Sequence, residues 1–158
     1  MNRLYLNRQG AEFLEVGHLF GVGLQLDCRA AVSDDVDGDG RMDLLMTSFE
    51  VWPKIQQTML VYRNNLEPAG NWIGFRFPGG PGVLSPIGAK VVLQTSDRPA
   101  IQQIVTGDSH RAQHSSTVHF GLNRSEEVRK ATITWPNREP REIATPQTGR
   151  YHVIAAAQ

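Results

Sequence analysis

Acidic side chains alternate with other residues around two glycines between residues 35 and 43, and no other pattern constrains the local fold as strongly. The segment reads DVDGDGRMD. Ca²⁺ takes about six to eight oxygen ligands, and a calcium loop offers carboxylates at positions 1, 3, 5 and 9 with a main-chain carbonyl at position 7. We therefore predict a calcium site formed by the carboxylates of Asp35, Asp37, Asp39 and Asp43 and by the carbonyl oxygen of Arg41.

Glycine at the sixth position of this loop has a conformational role. Gly40 lies where the chain must turn sharply around an ion, and such a turn often needs a positive φ that glycine adopts at little cost. Four carboxylates brought together without a cation would repel one another strongly. The alternative is an ordinary solvated turn, because Asp and Gly are common in turns for reasons unrelated to metals.

The sequence around the loop distinguishes it from an EF-hand. An EF-hand has a bidentate Glu at position 12 and a helix on each side, whereas position 12 here is Met46. The runs RAAVS before the loop and LLMTSF after it are apolar or β-branched and have the length of strands. The loop is therefore predicted to connect the two strands of a β-hairpin.

Short strands account for the rest of the chain as well. Fifteen glycines and nine prolines separate runs rich in Val, Ile, Thr and aromatic residues, and no long stretch has a period of about 3.6 residues. We predict an all-β fold with strands at 3–6, 12–16, 29–33, 43–49, 58–63, 72–77, 89–94, 100–106, 117–120, 127–134, 141–144 and 151–155.

Composition excludes several classes of partner. Sixteen basic and sixteen acidic residues cancel, so the chain has no bulk field that would recruit nucleic acid or an anionic membrane. No segment has the apolar length of a membrane span, and the first residues lack the apolar core of a signal peptide. We expect no nucleic acid partner and no membrane span.

A turn-rich segment divides the chain near its middle. Residues 63–71 read RNNLEPAGN, and we place a boundary near residues 65–70, with a calcium-binding β unit at 1–66 and a second β domain at 67–158. Within the first part, RLYLNRQG near the start recurs weakly as MLVYRNN at 59–65. Such an echo is typical of β-repeat architectures.

The two parts resemble two known families. The first is similar to an FG-GAP or VCBS-type repeat, a calcium-binding blade of a β-propeller, through LYLNR, FLEV, DVDGDGRMDLLMTSF and LVYRNN. The second resembles the ASPIC/UnbV domain, which follows such repeats in cartilage acidic protein and in proteins encoded beside enediyne biosynthesis genes. This second resemblance is carried by NWIG at 71–74, IGAKV at 87–91, VHFGL at 118–122 and ITWP at 133–136.

The resemblance implies an architecture and a location. It implies one propeller-blade-like calcium hairpin unit packed on a C-terminal β-sandwich or barrel-like domain. A lone blade cannot bury its faces, so either the chain is the C-terminal piece of a longer protein or its hairpin unit packs directly on the β domain. The parent family implies a secreted or extracellular protein, and a cytoplasmic location stays open because the chain begins without a signal peptide.

One polar segment departs from the family pattern. Where the family reads Gly-Tyr-x-Ser-Gln-Ser, residues 109–114 read SHRAQH, so only Gln113 is kept. In an extended chain His110 and His114 share a face, whereas His119 points the opposite way. These histidines therefore predict no three-ligand transition-metal site.

Catalytic constellations find little support in the sequence. Ser115 or Ser116 beside His114 would need a distant acid such as Asp108, and the chain has no Gly-x-Ser-x-Gly elbow. Adjacent glutamates at 126 and 127 would point to opposite faces of a strand. We assign no catalytic residue and no organic cofactor.

The leading functional hypothesis is a calcium-stabilised, non-enzymatic β-module that binds a protein or carbohydrate. The tryptophans Trp52, Trp72 and Trp135 are interpreted mainly as core or packing residues, and if one is exposed, Trp52 is the first candidate for stacking on a sugar or a partner protein. One alternative is a small natural-product biosynthesis enzyme, of cyclase or tailoring type, with a pocket in the β domain. Another is a C-terminal fragment that caps a larger β-propeller.

Overall fold

The computed structural model describes residues 1–8, 10–67, 70–79, 85–106, 110–122 and 127–155. Its described residues form strands and turns without a helix, which confirms the predicted all-β class. The strands are β1 Tyr5–Arg8, β2 Glu12–Glu15, β3 Cys28–Asp34, β4 Asp43–Glu50, β5 Gln56–Tyr62, β6 Asn71–Arg76, β7 Lys90–Thr95, β8 Ala100–Gln103, β9 Thr117–Leu122, β10 Val128–Thr134, β11 Arg141–Ala144 and β12 Tyr151–Val153.

Two compact units are defined by the contacts within the chain. The described residues of unit 1 fall in 1–34, 42–64 and 110–112, and those of unit 2 fall in 35–41, 65–106 and 113–155. The chain passes from unit 1 to unit 2 after Asn64, and the short segment 35–41 belongs to unit 2 although both of its flanking strands belong to unit 1.

Unit 1 consists of two antiparallel sheets. Strands β1 and β2 form a two-stranded hairpin, and β3, β4 and β5 form a three-stranded meander. The register of β3 and β4 places Asp34 opposite Asp43, so the predicted hairpin on either side of the acidic segment is confirmed.

Unit 2 contains two sheets that share one hydrophobic core. One has the antiparallel order β11-β10-β7-β8, and the other has the order β12-β6-β9, in which β12 is parallel and β9 antiparallel to β6. Both sheets contribute buried side chains to the same cluster, so the arrangement is sandwich-like, and the described strands close into no barrel. The cluster comprises Ile73, Phe75, Phe77, Ala89, Val91, Leu93, Ile104, Val118, Phe120, Leu122, Val128, Ala131, Ile133, Trp135 and Ile154.

Strand β6 places Trp72 and Gly74 on the face opposite the core. Ile73 and Phe75 are fully buried in the core, and the alternation of a strand turns Trp72 and Gly74 to the other face. A Cβ at Gly74 would lie 2.2 Å from the ring of Tyr151 on β12, so a larger residue does not fit there. This outer face of the β12-β6-β9 sheet contacts the segment 35–41.

Candidate functional site

The aspartate loop, residues 35–41, brings three carboxylates together. Asp35, Asp37 and Asp39 each offer one carboxylate oxygen, and these atoms all lie within 4.8 Å of one another. Asp35 is buried, Asp39 is half-buried and Asp37 is exposed. One side of the group is therefore enclosed by protein and the other is open to solvent, an arrangement that could hold a metal ion.

The loop backbone orients these carboxylates. The N–H of Gly40 donates to Oδ2 of Asp35 at 2.9 Å, and the N–H of Arg41 donates to Oδ1 of Asp39 at 2.9 Å. Gly40 has φ +85°, which confirms the positive φ predicted for the sixth position. The Asp-x-Asp-Gly-Asp-Gly spacing folds the chain so that its own amides hold the acidic side chains on one side.

Aromatic groups from the sheet of unit 2 fix the buried end of the loop. The hydroxyl of Tyr151 donates to Oδ2 of Asp35 at 2.8 Å, and Nδ1 of His119 lies 3.1 Å from the same hydroxyl. Trp72 stacks on His119 with ring centroids 5.2 Å apart, and the guanidinium of Arg76 lies 3.9 Å from the Tyr151 ring centroid. Asp35 is thereby held by Tyr151, and Tyr151 is in turn positioned by His119 and Arg76.

Arg41 contributes its side chain to the site. Its guanidinium forms ion pairs with Asp39 and with Glu67, the latter at 2.7 Å. The hydrogen bond to Asp39 raises the pKa of the Arg41 guanidinium above its ordinary value. The predicted ligand is the carbonyl oxygen of Arg41 rather than its side chain, and that assignment stays a prediction.

Asp43, the fourth predicted carboxylate ligand, lies at the start of β4 in unit 1. It is only 3% exposed, and its Oδ1 accepts a hydrogen bond from the N–H of Asn64 at 2.8 Å. The side-chain amide of Asn64 also donates to the carbonyl of Met42 at 3.2 Å. Asp43 therefore helps to join the start of β4 to the residues that follow the end of β5. Its role as a metal ligand stays a prediction.

The chemistry of the three-carboxylate group suits a hard cation. Carboxylate oxygens are the ligands that Ca²⁺ and Mg²⁺ prefer, whereas Zn²⁺ and Cu²⁺ favour imidazole or thiolate. Over the described part of the chain, no other group of three or more His, Cys, Asp or Glu side chains reaches this spacing. Of the three histidines singled out from the sequence, His119 packs against both Trp72 and Tyr151, and His110 lies in a turn of unit 1.

The sequence indicated the three clustered carboxylates but not the residues that hold them in place. Tyr151 is 116 residues from Asp35, and nothing local in either segment predicts that they meet. One sequence signal on β6 did indicate a second contact surface. Trp72 and Gly74 alternate with Ile73 along the strand, so they lie on the face opposite the core.

Together, the sandwich-like unit 2 and the aspartate loop on the outer face of its β12-β6-β9 sheet define an all-β protein with a candidate site for a hard metal ion. Residues 82–158, just under half of the chain, match the family model described as ASPIC and UnbV. The ASPIC/UnbV part of the predicted resemblance is therefore confirmed over these residues. The match includes the predicted motif segments at 87–91, 118–122 and 133–136 and begins after the one at 71–74.

No curated protein matches the chain. No helix long and apolar enough to cross a membrane occurs in the described residues.

Proposed function

We propose that this protein is a calcium-stabilised, non-enzymatic β-module that binds a protein or carbohydrate partner. The observation that carries the calcium assignment is the convergence of Asp35, Asp37 and Asp39 in the spacing of a calcium loop. The resemblance of the surrounding strands to an FG-GAP or VCBS-type repeat supports the same ion. We further propose that Asp43 and the Arg41 carbonyl complete the ligand set.

The proposed ion has a structural role. Any ion that binds the folded protein but not the unfolded chain adds to the free energy of unfolding. Here it would offset the mutual repulsion of three clustered carboxylates and so add to the hydrogen bonds that Gly40, Arg41 and Tyr151 donate to two of them. Calcium modules outside cells bind with Kd of about 10⁻⁴–10⁻³ M, so an extracellular location suits even a weak site of this kind.

An exposed apolar loop supports the partner-binding half of the proposal. Trp52 is 82% exposed in the connection between β4 and β5, and Val51 and Ile55 beside it are 65% and 71% exposed. Loops on a rigid β scaffold commonly carry binding residues, and an exposed indole offers a flat face for a sugar ring or an apolar protein surface. Trp135, in contrast, is buried in the core of unit 2.

Removal of calcium is expected to lower the melting temperature of the protein. EDTA should shift the thermal transition downward, and excess Ca²⁺ should restore it, because the ion binds only the folded loop. At free calcium of about 100 times Kd the stabilisation amounts to about 2.7 kcal/mol. Circular dichroism during heating measures the shift, and an unchanged melting curve with and without EDTA would exclude a structural calcium ion.

A pair of matched variants tests whether Asp37 is a ligand of the proposed calcium ion. Asp37→Asn preserves the size of an exposed loop side chain and removes its charge, so calorimetry should detect weaker Ca²⁺ binding. Asp97→Asn makes the same change at an exposed position outside the loop and should leave the affinity unchanged. Equal affinities for both variants would show that Asp37 is not a ligand.

A second candidate function is that of a terminal β unit in a larger assembly of sheets. Every residue of β1 and β2 is exposed, including Leu6 at 53% and Phe13 at 64%. A two-stranded hairpin with uncovered apolar side chains is only marginally stable in water, so a further β-sheet is expected to cover it. This observation favours the hypothesis that the chain caps a larger propeller.

The hairpin should make the isolated chain self-associate. Sedimentation velocity at increasing protein concentration is expected to show oligomers, and the double change Leu6→Ser and Phe13→Ser should restore the monomer. Val153→Ser, at a 69% exposed position on β12, is the control and should not change the association. A wild-type chain that stays monomeric over the whole range would count against a covering sheet.

A further inference from the structure

An open cavity of about 730 Å³ lies entirely within unit 1 and has no part in the aspartate loop. We propose that it binds a small organic anion, a carboxylate carried on an aromatic or alkyl body. Its volume falls within the range of about 300–1,000 Å³ that is common for small-molecule sites. The described residues that line it are Arg29, Ala30, Thr47, Ser48, Phe49, Gln57, Thr58, Met59, His110 and Arg111.

The floor of the cavity is one face of the β3-β4-β5 sheet. Thr47 and Phe49 alternate on the same face of β4, and their partners on β5 are Met59 and Gln57. Met59 is 62% exposed, an unusual position for a flexible apolar side chain. The floor therefore offers apolar contact to the body of a ligand, with polar groups beside it.

The polar part of the lining has a positive bias. It contains Arg29, Arg111 and His110, and none of the described lining residues is acidic. Arg29 is the extra residue where the pairing of β3 with β4 shifts between Cys28 and Ala30, and bulges of this kind re-aim side chains. Its guanidinium also contacts Asp27 outside the cavity, which limits its movement.

Arg111, the second arginine of the lining, has an unusual backbone conformation. It has φ +54°, a value that non-glycine residues seldom adopt and that is often found at binding sites. A guanidinium presents planar, forked donors that match both oxygens of a carboxylate, and it carries its charge at every physiological pH. Two arginines beside an apolar floor therefore recognise an anionic head group and an apolar body together.

The test compares an acid with its neutral amide. The ¹⁵N-labelled protein is titrated with 3-phenylpropanoate and, separately, with 3-phenylpropanamide, and amide chemical shifts are recorded. The acid is expected to move the amide signals of Ala30, Thr47 and Met59 and to saturate, and the amide should bind about tenfold more weakly because it lacks the charge-assisted hydrogen bonds. Equal affinities, or shifts confined to other residues, would overturn the proposal.

A pair of variants tests whether Arg111 supplies the positive charge that binds the carboxylate. Arg111 is exposed, and the substitution Arg111→Gln retains most of the side-chain length while removing the charge. The variant should bind the acid about tenfold more weakly and should bind the amide with unchanged affinity. Arg98→Gln, at an exposed position outside the cavity, should leave both affinities unchanged. Both spectra must keep wild-type dispersion, and an unaltered affinity of Arg111→Gln for the acid would contradict the assigned role.

Discussion

Replacement of Ile73 by alanine is expected to lower the free energy of unfolding of unit 2 by about 2–5 kcal/mol. Ile73 is fully buried on β6, in the core to which both sheets of the unit contribute. The substitution removes apolar surface from the core and leaves a cavity that rigid neighbours on two sheets fill poorly. Amide hydrogen exchange along β6 and β7 measures the loss for unit 2 separately from unit 1.

The same chemical change at Ile101 is the control. Ile101 is 62% exposed on β8, so Ile101→Ala should change the free energy of unfolding by no more than about 0.5 kcal/mol. If the two variants lost equal stability, the assignment of Ile73 to the core face of β6 would be wrong. A strand shifted by one residue would instead place Trp72 and Gly74 in the core.

The strands were predictable because their signals are local. Each of the twelve predicted segments overlaps one observed strand, since short β-branched and aromatic runs between Gly and Pro specify extended structure without reference to distant residues. Boundaries were less accurate, as for β8, which ends at Gln103 rather than at residue 106. Strand ends depend on pairing with a neighbour, and the sequence of one strand does not contain that information.

Tertiary partners were not predictable in the same way. The Asp and Gly spacing indicated that Asp35, Asp37, Asp39 and Asp43 converge, and the structure brings the first three of these carboxylates together. The hydrogen bond from Tyr151 to Asp35 depends instead on the parallel pairing of β12 with β6, which no local pattern specifies. The same reason explains why the loop groups with unit 2, although the sequence places it inside the first unit.

Gly40 is where the local and tertiary constraints on the aspartate loop coincide. Gly40→Ala is expected to reduce the free energy of unfolding and to weaken calcium binding, for two reasons. An alanine at φ +85° costs roughly 1–2 kcal/mol. Its Cβ would also lie 1.9 Å from Nε1 of Trp72, and relief of such an overlap in a packed region costs about 1–3 kcal/mol more.

Trp72 has little freedom to relieve that overlap. Its ring stacks on His119 and tilts against Tyr151 with centroids 4.8 Å apart, and Tyr151 also holds Asp35 through its hydroxyl. A shift of the indole would therefore disturb the hydrogen bond that positions the buried carboxylate. We expect calorimetry to show a lower Ca²⁺ affinity for Gly40→Ala, together with a lower melting temperature.

A substitution at Gly38 separates the cost of backbone strain from the cost of the overlap with Trp72. Gly38 has a positive φ like that of Gly40 but no neighbouring side chain that a Cβ would meet. It has φ +77°, and a Cβ at this position would meet nothing within 4 Å. Gly38→Ala should therefore cost only the conformational part, roughly 1–2 kcal/mol, and retain most of the calcium affinity. Equal losses in the two variants would show that backbone strain alone governs the loop, and that the packing of Trp72 against Gly40 does not support the metal site.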